Sequence, residues 1–84
     1  MDTIPIFGRR VTRIREERGL TQQELAKRAD TTYQTVWRIE NGKHKEPGIY
    51  IARKIARALG VSLDYLVNLH GSDDVSELLT AVAS

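Results

Sequence analysis

The stretch LTQQELAKRADTTYQTVWRIENGK, residues 20–43, holds two short helical segments and the turn that joins them. TQQE at 21–24 has the form of a capping box: Thr21 can accept from the amide three residues on while Glu24 reaches back, and the helix dipole favours the acid there. Leu25, Ala26 and Ala29 give this segment a core side. A turn of only one or two residues around Asp30 is expected, with the next helix starting at TTYQ and stopping at ENG. So short a link makes the two helices cross steeply, and the small Ala26 lets them approach. Two caps compete for the second helix: Thr31 with Gln34 completes a capping-box pattern, and Thr32 is the alternative one residue later.

The second segment carries the chain's only tryptophan. In a helix Val36 and Ile39 lie on one face, and at 100° per residue Trp37 turns away from them toward Gln34 and Arg38. A large aromatic on the polar side of a helix asks for a partner outside the core.

Working outward, turn signals at RGLT, ADTT, ENGKHKEPG, LGVS and HGSDD divide the chain into pieces whose apolar residues recur at helical spacing and never alternate as in a strand. The reading is all-α, with five or six helices and no sheet. A first helix covers about Ile6 to Arg18, with Phe7, Val11 and Ile14 at i, i+4 and i+7, and ends at Gly19, suited to a left-handed C-cap. After Pro47 a fourth helix carries Ile49, Ala52, Ile55, Ala56 and Leu59 inward. A short fifth begins near Ser62 as N-cap and buries Leu63 and Leu66, with Val61 as staple. The segment DDVSELLTAV places Val75, Leu78, Leu79 and Val82 on one stripe, an additional short C-terminal helix.

A chain of 84 residues has room for one domain with a small core. Residues 1–70 form that domain, and 71–84 are an amphipathic tail. There is no cysteine, hence no disulfide framework and no zinc–cysteine site, as suits a reducing, cytoplasmic setting. The start MDTIPIFGRR lacks the order of a signal peptide, and no apolar run has the length of a bilayer span, so no membrane association is expected. The charge is uneven: residues 1–61 hold all 13 Lys and Arg against seven acids, a balance of +6, while residues 62–84 hold four acids and no Lys or Arg, a balance of −4. A basic body is suited to a polyanion, although helical proteins carry mixed charged faces in any case.

Catalysis finds no foothold in the sequence. Neither His44 nor His70 lies at i, i+4 from a second metal ligand of the right kind, the acids near them are loop or cap residues, and there is neither a Gly-rich phosphate loop nor a nucleophile elbow. No enzyme activity, metal or cofactor is expected, and both histidines read as surface residues.

The motifs LTQ..LA, T......IENG and ALGVSLDYL, spread over about Phe7 to Leu66, closely resemble the DNA-binding domain of the lambda-type repressor and Cro family, also called the XRE-type helix-turn-helix. The resemblance implies a compact five-helix fold whose third helix enters the major groove of double-stranded DNA. It places Thr21 and Gln22 at the start of helix two, where a phosphate is gripped. It places Thr32, Tyr33, Gln34, Thr35 and Arg38 where base edges are reached, and Lys43 and Lys45 on the loop along the DNA backbone. Arg15 and Glu40 match an ion pair that holds the recognition helix against helix one. The chemistry agrees: Gln34 is suited to adenine, Arg38 to guanine, and the methyl of Thr32 or Thr35 to thymine. Structural roles compete for two of these, capping with Thr31 for Gln34 and partial burial at the helix start for Tyr33. Arg9 and Arg10 are either phosphate contacts or ordinary solvated charges, the latter for at least one of them.

Two departures from the family pattern stand out. Asp30 replaces the Gly that many members have in the inter-helix turn, which Asp tolerates at some strain. Glu46 and Gly48 replace basic residues of several phage repressors, which weakens the backbone grip and raises the importance of Lys45. Trp37, where members usually carry a small or polar residue, has three readings: contact with the DNA backbone or a thymine methyl, packing over the loop before helix four, or a protein contact. The first is preferred.

These features point to a sequence-specific transcriptional regulator, a repressor that binds a palindromic operator as a homodimer. An autoregulating antitoxin, with residues 72–84 facing a protein partner, is the alternative. A protein-interaction module that keeps the fold without reading DNA is the reading from another class, and Arg38, Lys43 and Lys45 argue against it. The stripe of Val75, Leu78, Leu79 and Val82 is either a dimer surface or a helix folded back on its own domain.

Overall fold

The computed structural model describes residues 5–44 and 47–67. Within them the chain forms five α-helices and no strand: α1 Ile6–Glu17, α2 Gln22–Arg28, α3 Tyr33–Glu40, α4 Ile49–Leu59 and α5 Leu63–Val67. Lys45, Glu46, His70 and the stripe of residues 75–82 lie outside the described residues.

Each boundary has a local cause. The capping box of α2 is formed, with Glu24 N donating to Thr21 Oγ1 at 3.0 Å and Thr21 N donating to Glu24 Oε1 at 2.8 Å. Of the two candidate caps for α3 the structure selects Thr32, whose Oγ1 accepts from Thr35 N at 3.1 Å. Gln34 is therefore released from any capping role. α1 stops before Gly19 at φ +70°, and α4 before Gly60 at φ +74°, the left-handed region that glycine enters without a Cβ clash. Between the last helical residue of α2 and the first of α3 stand residues 29–32, longer than the one- or two-residue turn expected, because both flanking caps lie outside the helices proper. Asp30 turns the corner at φ +53°, the one described non-glycine residue with positive φ.

The core joins all five helices through Val11, Ile14, Leu25, Val36, Ile39, Ile55, Leu59 and Leu66, each essentially covered. Burying one such aliphatic side chain is worth about 1.5–3 kcal/mol, so this cluster is the main driving force for the fold. Ala26 and Ala29 sit at the close α2–α3 approach and are also buried. The expected inward run of α4 needs one correction: Ile49 is 64 % exposed, whereas Ala52, Ile55, Ala56 and Leu59 are buried. Helical periodicity assigns Ile49 to the right stripe, but it lies in the first turn and the packed length of α4 starts one turn later.

Arg10 is the larger correction. It was expected at the surface and is fully buried, its guanidinium donating to the Tyr65 carbonyl and lying 4.5 Å from the centroid of the Tyr65 ring. Arg13 donates to the hydroxyl of the same tyrosine. Two arginines of α1 thus hold α5, a short helix that could not stand alone.

Candidate nucleic-acid interface

The inner side of α3 is held by a polar network as well as by the core. Arg15 Nε donates to Glu40 Oε2 at 2.7 Å and Arg15 Nη2 to Glu40 Oε1 at 3.0 Å, a two-point pairing across α1 and α3. The paired side chains are 12 % and 4 % exposed. The Glu40 carboxylate raises the Arg15 guanidinium further above its ordinary range. The remaining Arg15 nitrogen, Nη1, donates to the Leu20 carbonyl at 2.7 Å, which ties the pair to the entrance of α2. Gln22 Nε2 completes the network by donating to Glu40 Oε1 at 3.0 Å. Three helices meet on one carboxylate, so α3 has a fixed height and roll relative to α1 and α2.

Gln22 is placed here by a contact the sequence did not disclose. One of its two N–H donors is spent on Glu40, leaving the other for an outside acceptor. Thr21 is exposed at the start of α2, its hydroxyl and amide both committed to the capping box. The Thr21 amide, and after it the Thr21 hydroxyl, hold the Glu24 carboxyl below its ordinary value.

The outer side of α3 is different. Tyr33 is 44 % and Trp37 41 % exposed, one turn apart, with Gln34 and Arg38 as the neighbouring pair at the same spacing. These four residues and Lys43 line an open depression of about 660 Å³. Among the described residues the side chains of Gln34, Arg38 and Lys43 enter no hydrogen bond or ion pair. Thr32 and Thr35 stand at the start of the same surface, their hydroxyls 2.9 Å apart and engaged with each other. The loop after α3 folds back on the helix end: Lys43 N and His44 N both donate to the Arg38 carbonyl, at 2.7 and 3.2 Å, and Asn41 Nδ2 donates to the Trp37 carbonyl at 2.8 Å. This brings Lys43 beside Trp37 and Arg38 and gives the depression its basic wall.

Of the expected contact residues, Tyr33, Gln34, Trp37, Arg38 and Lys43 therefore share one surface, Thr32 and Thr35 border it, and Thr21 and Gln22 lie at the head of α2. Arg10 is absent from every exposed surface. No group of three or more His, Asp or Glu side chains stands together among the described residues in a way that could hold a metal ion. No described helix is long and apolar enough to cross a membrane.

A helix held by its inner face against two others, with a basic and aromatic outer face, defines a helix-turn-helix module. The family model described as helix-turn-helix matches residues 11–66, and the chain belongs to that family of Cro/C1-type DNA-binding transcriptional regulators, which is not an enzyme class. An uncharacterized HTH-type transcriptional regulator of Methanothermobacter thermautotrophicus is 50 % identical over 46 residues, 55 % of this chain and 65 % of that protein. The SPbeta prophage-derived uncharacterized HTH-type transcriptional regulator YonR of Bacillus subtilis is 35 % identical over 75 residues, 88 % of this chain and 68 % of that protein. The matches thus span about two thirds of the length of these relatives. Among solved structures, a chain of the SinR protein/SinI protein complex superposes with a TM-score of 0.73 at 25 % identity, covering 93 % of this chain and 79 % of that one.

Proposed function

We propose that the chain is a sequence-specific regulator, a cytoplasmic repressor, that reads a palindromic operator as a homodimer by placing the outer face of α3 in the major groove. The observation that carries this reading is the surface of Tyr33, Gln34, Trp37, Arg38 and Lys43, whose polar groups have no partner in the described fold while the opposite face of the same helix is fully engaged. Polar side chains held rigidly and left unpaired are available to base edges.

In this reading Thr32, Tyr33, Gln34, Thr35 and Arg38 face bases. Arg38 is suited to the O6 and N7 acceptors of guanine and Gln34 to adenine. Thr21, the second Nε2 hydrogen of Gln22, Lys43 and Lys45 approach the DNA backbone, and Trp37 meets the backbone or a thymine methyl beside it. Residues 1–70 act as the DNA-binding unit. One such domain offers few contacts, and two half-sites about one helical turn apart supply the remaining affinity.

The tail at 71–84 is the candidate for the dimer surface or for a protein partner. Similarity to a chain from a two-protein complex supports the partner role as a second reading.

The test is selection of bound duplexes from a random pool near physiological salt, followed by a salt titration of the winning site. The expected outcome is a two-fold symmetric site whose affinity falls by about 0.9 log units per phosphate contact for each tenfold rise in salt. Recovery of no sequence above background, with no salt slope, would leave a protein-interaction module.

A further inference from the structure

We infer that Tyr33 and Trp37 form an apolar reader of the 5-methyl group of a pyrimidine, with Arg38 placed to take the neighbouring base. This inference rests on the DNA-reading role proposed above. It starts from an anomaly of the outer face of α3: two large aromatics stand one turn apart, each more than two fifths exposed, and between them and Lys43 lies the open depression of about 660 Å³. Their exposure on a helix whose opposite face is buried leaves them unused by the core.

In the major groove, A and G present chiefly hydrogen-bond donors and acceptors and C adds only the small C5–H, and a ring pressed against the polar groups would strip them of water with no bond in return. The exception is the methyl at C5 of thymine, or of 5-methylcytosine. A pair of ring faces spaced by one helical turn suits such a methyl group, and the indole and phenol retain polar ends at the rim of the contact. Arg38 follows Trp37 directly and borders the same depression, so a guanine adjoining the methylated pyrimidine falls to its guanidinium. The proposed reading is therefore a 5-methylpyrimidine next to guanine, chosen by shape and desolvation where the remaining side chains choose by hydrogen bonding.

The experiment uses the full chain and the duplex recovered by selection. Each thymine is replaced in turn by deoxyuridine, which removes the methyl group and leaves every hydrogen-bonding group in place. Each cytosine is replaced by 5-methylcytosine in a parallel series. Loss of about fourfold in affinity at one thymine, the worth of uncovering one methyl group, identifies thymine as the source. A gain of about the same size at one cytosine identifies 5-methylcytosine instead. In either case the effect must shrink to about twofold or less in Trp37→Ala or in Tyr33→Ala, because the methyl then meets one ring instead of two.

Insensitivity to both replacements overturns the inference while leaving the DNA-reading role intact, and so does a methyl effect of undiminished size in both variants. Failure to recover any preferred duplex breaks the DNA-reading role itself. The two aromatic variants are made separately, so that if one folds poorly the other still assigns the methyl effect to the rings.

Discussion

On the inward side of α3, Val36 and Ile39 are covered and Glu40 accepts from Arg15 and Gln22; on the outward side, Tyr33, Gln34, Trp37 and Arg38 meet no such partners. The two surfaces occupy eight residues of one helix. Their difference teaches that stability and recognition are separable here by rotation about a single axis, so substitutions one residue apart should fall into opposite classes. Trp37 and Val36 are such neighbours, as are Arg38 and Ile39.

The strongest way to break this separation is at Glu40. Glu40→Ala leaves the half-buried Arg15 guanidinium without its carboxylate and takes the acceptor from Gln22, and the expected cost is about 3 kcal/mol of folding stability by urea denaturation. Replacing both partners, Arg15→Met with Glu40→Leu, should recover most of that loss. If Glu40→Ala instead melts like the parent, the network is not what positions α3.

Next in size is Arg38→Ala, expected to weaken operator binding by about 2 kcal/mol while the thermal midpoint stays unchanged. A falling midpoint would mean that the outward face also serves the fold.

A smaller effect belongs to the entrance of α2. Thr21→Ala removes the hydroxyl that caps Glu24 N and should cost about 1 kcal/mol. The partner acid adds a pH signature. Because the folded-state value of Glu24 is depressed by the Thr21 amide, its contribution is present above the unfolded glutamate value of about 4.3 and fades as pH falls through the lower folded value. The advantage of the parent over Glu24→Gln should therefore disappear in acid; a difference that persists there would place its origin outside the carboxylate.

The smallest effect is expected at Asp30→Gly. Glycine relieves the positive φ but loosens the unfolded chain, and in the contact with Lys54 at 3.7 Å the Asp30 side chain is almost wholly exposed. The net change should stay within about 0.5 kcal/mol by thermal melting.

Much of this arrangement was legible because its causes are local. The capping box at Thr21 and Glu24, the stop at Gly19 and the shared face of Val36 and Ile39 each depend on residues within a few positions of one another, and the family resemblance extended those signals to the whole domain. What escaped depends on distant partners. Nothing near Arg10 in sequence announces that a carbonyl and a ring 55 residues away will cover it, so basicity alone placed it at the surface. Gln22 likewise reaches Glu40 over 18 residues. Ile49 failed for another reason: periodicity reports a stripe but not where along the helix a neighbour begins. For the outward face of α3 the residue types were legible, while their gathering with Lys43 around one depression required the folded loop after Asn41.

The lone indole of Trp37 also makes the molecule its own optical instrument. With one tryptophan in 84 residues, all the fluorescence excited at the red edge comes from a single site on the outer face of α3. Since that site is already half open to solvent in the folded chain, its emission wavelength should shift little on melting and more when something dry covers it. Emission then gauges occupancy of one surface, ellipticity gauges the helices, and the two signals need not move together.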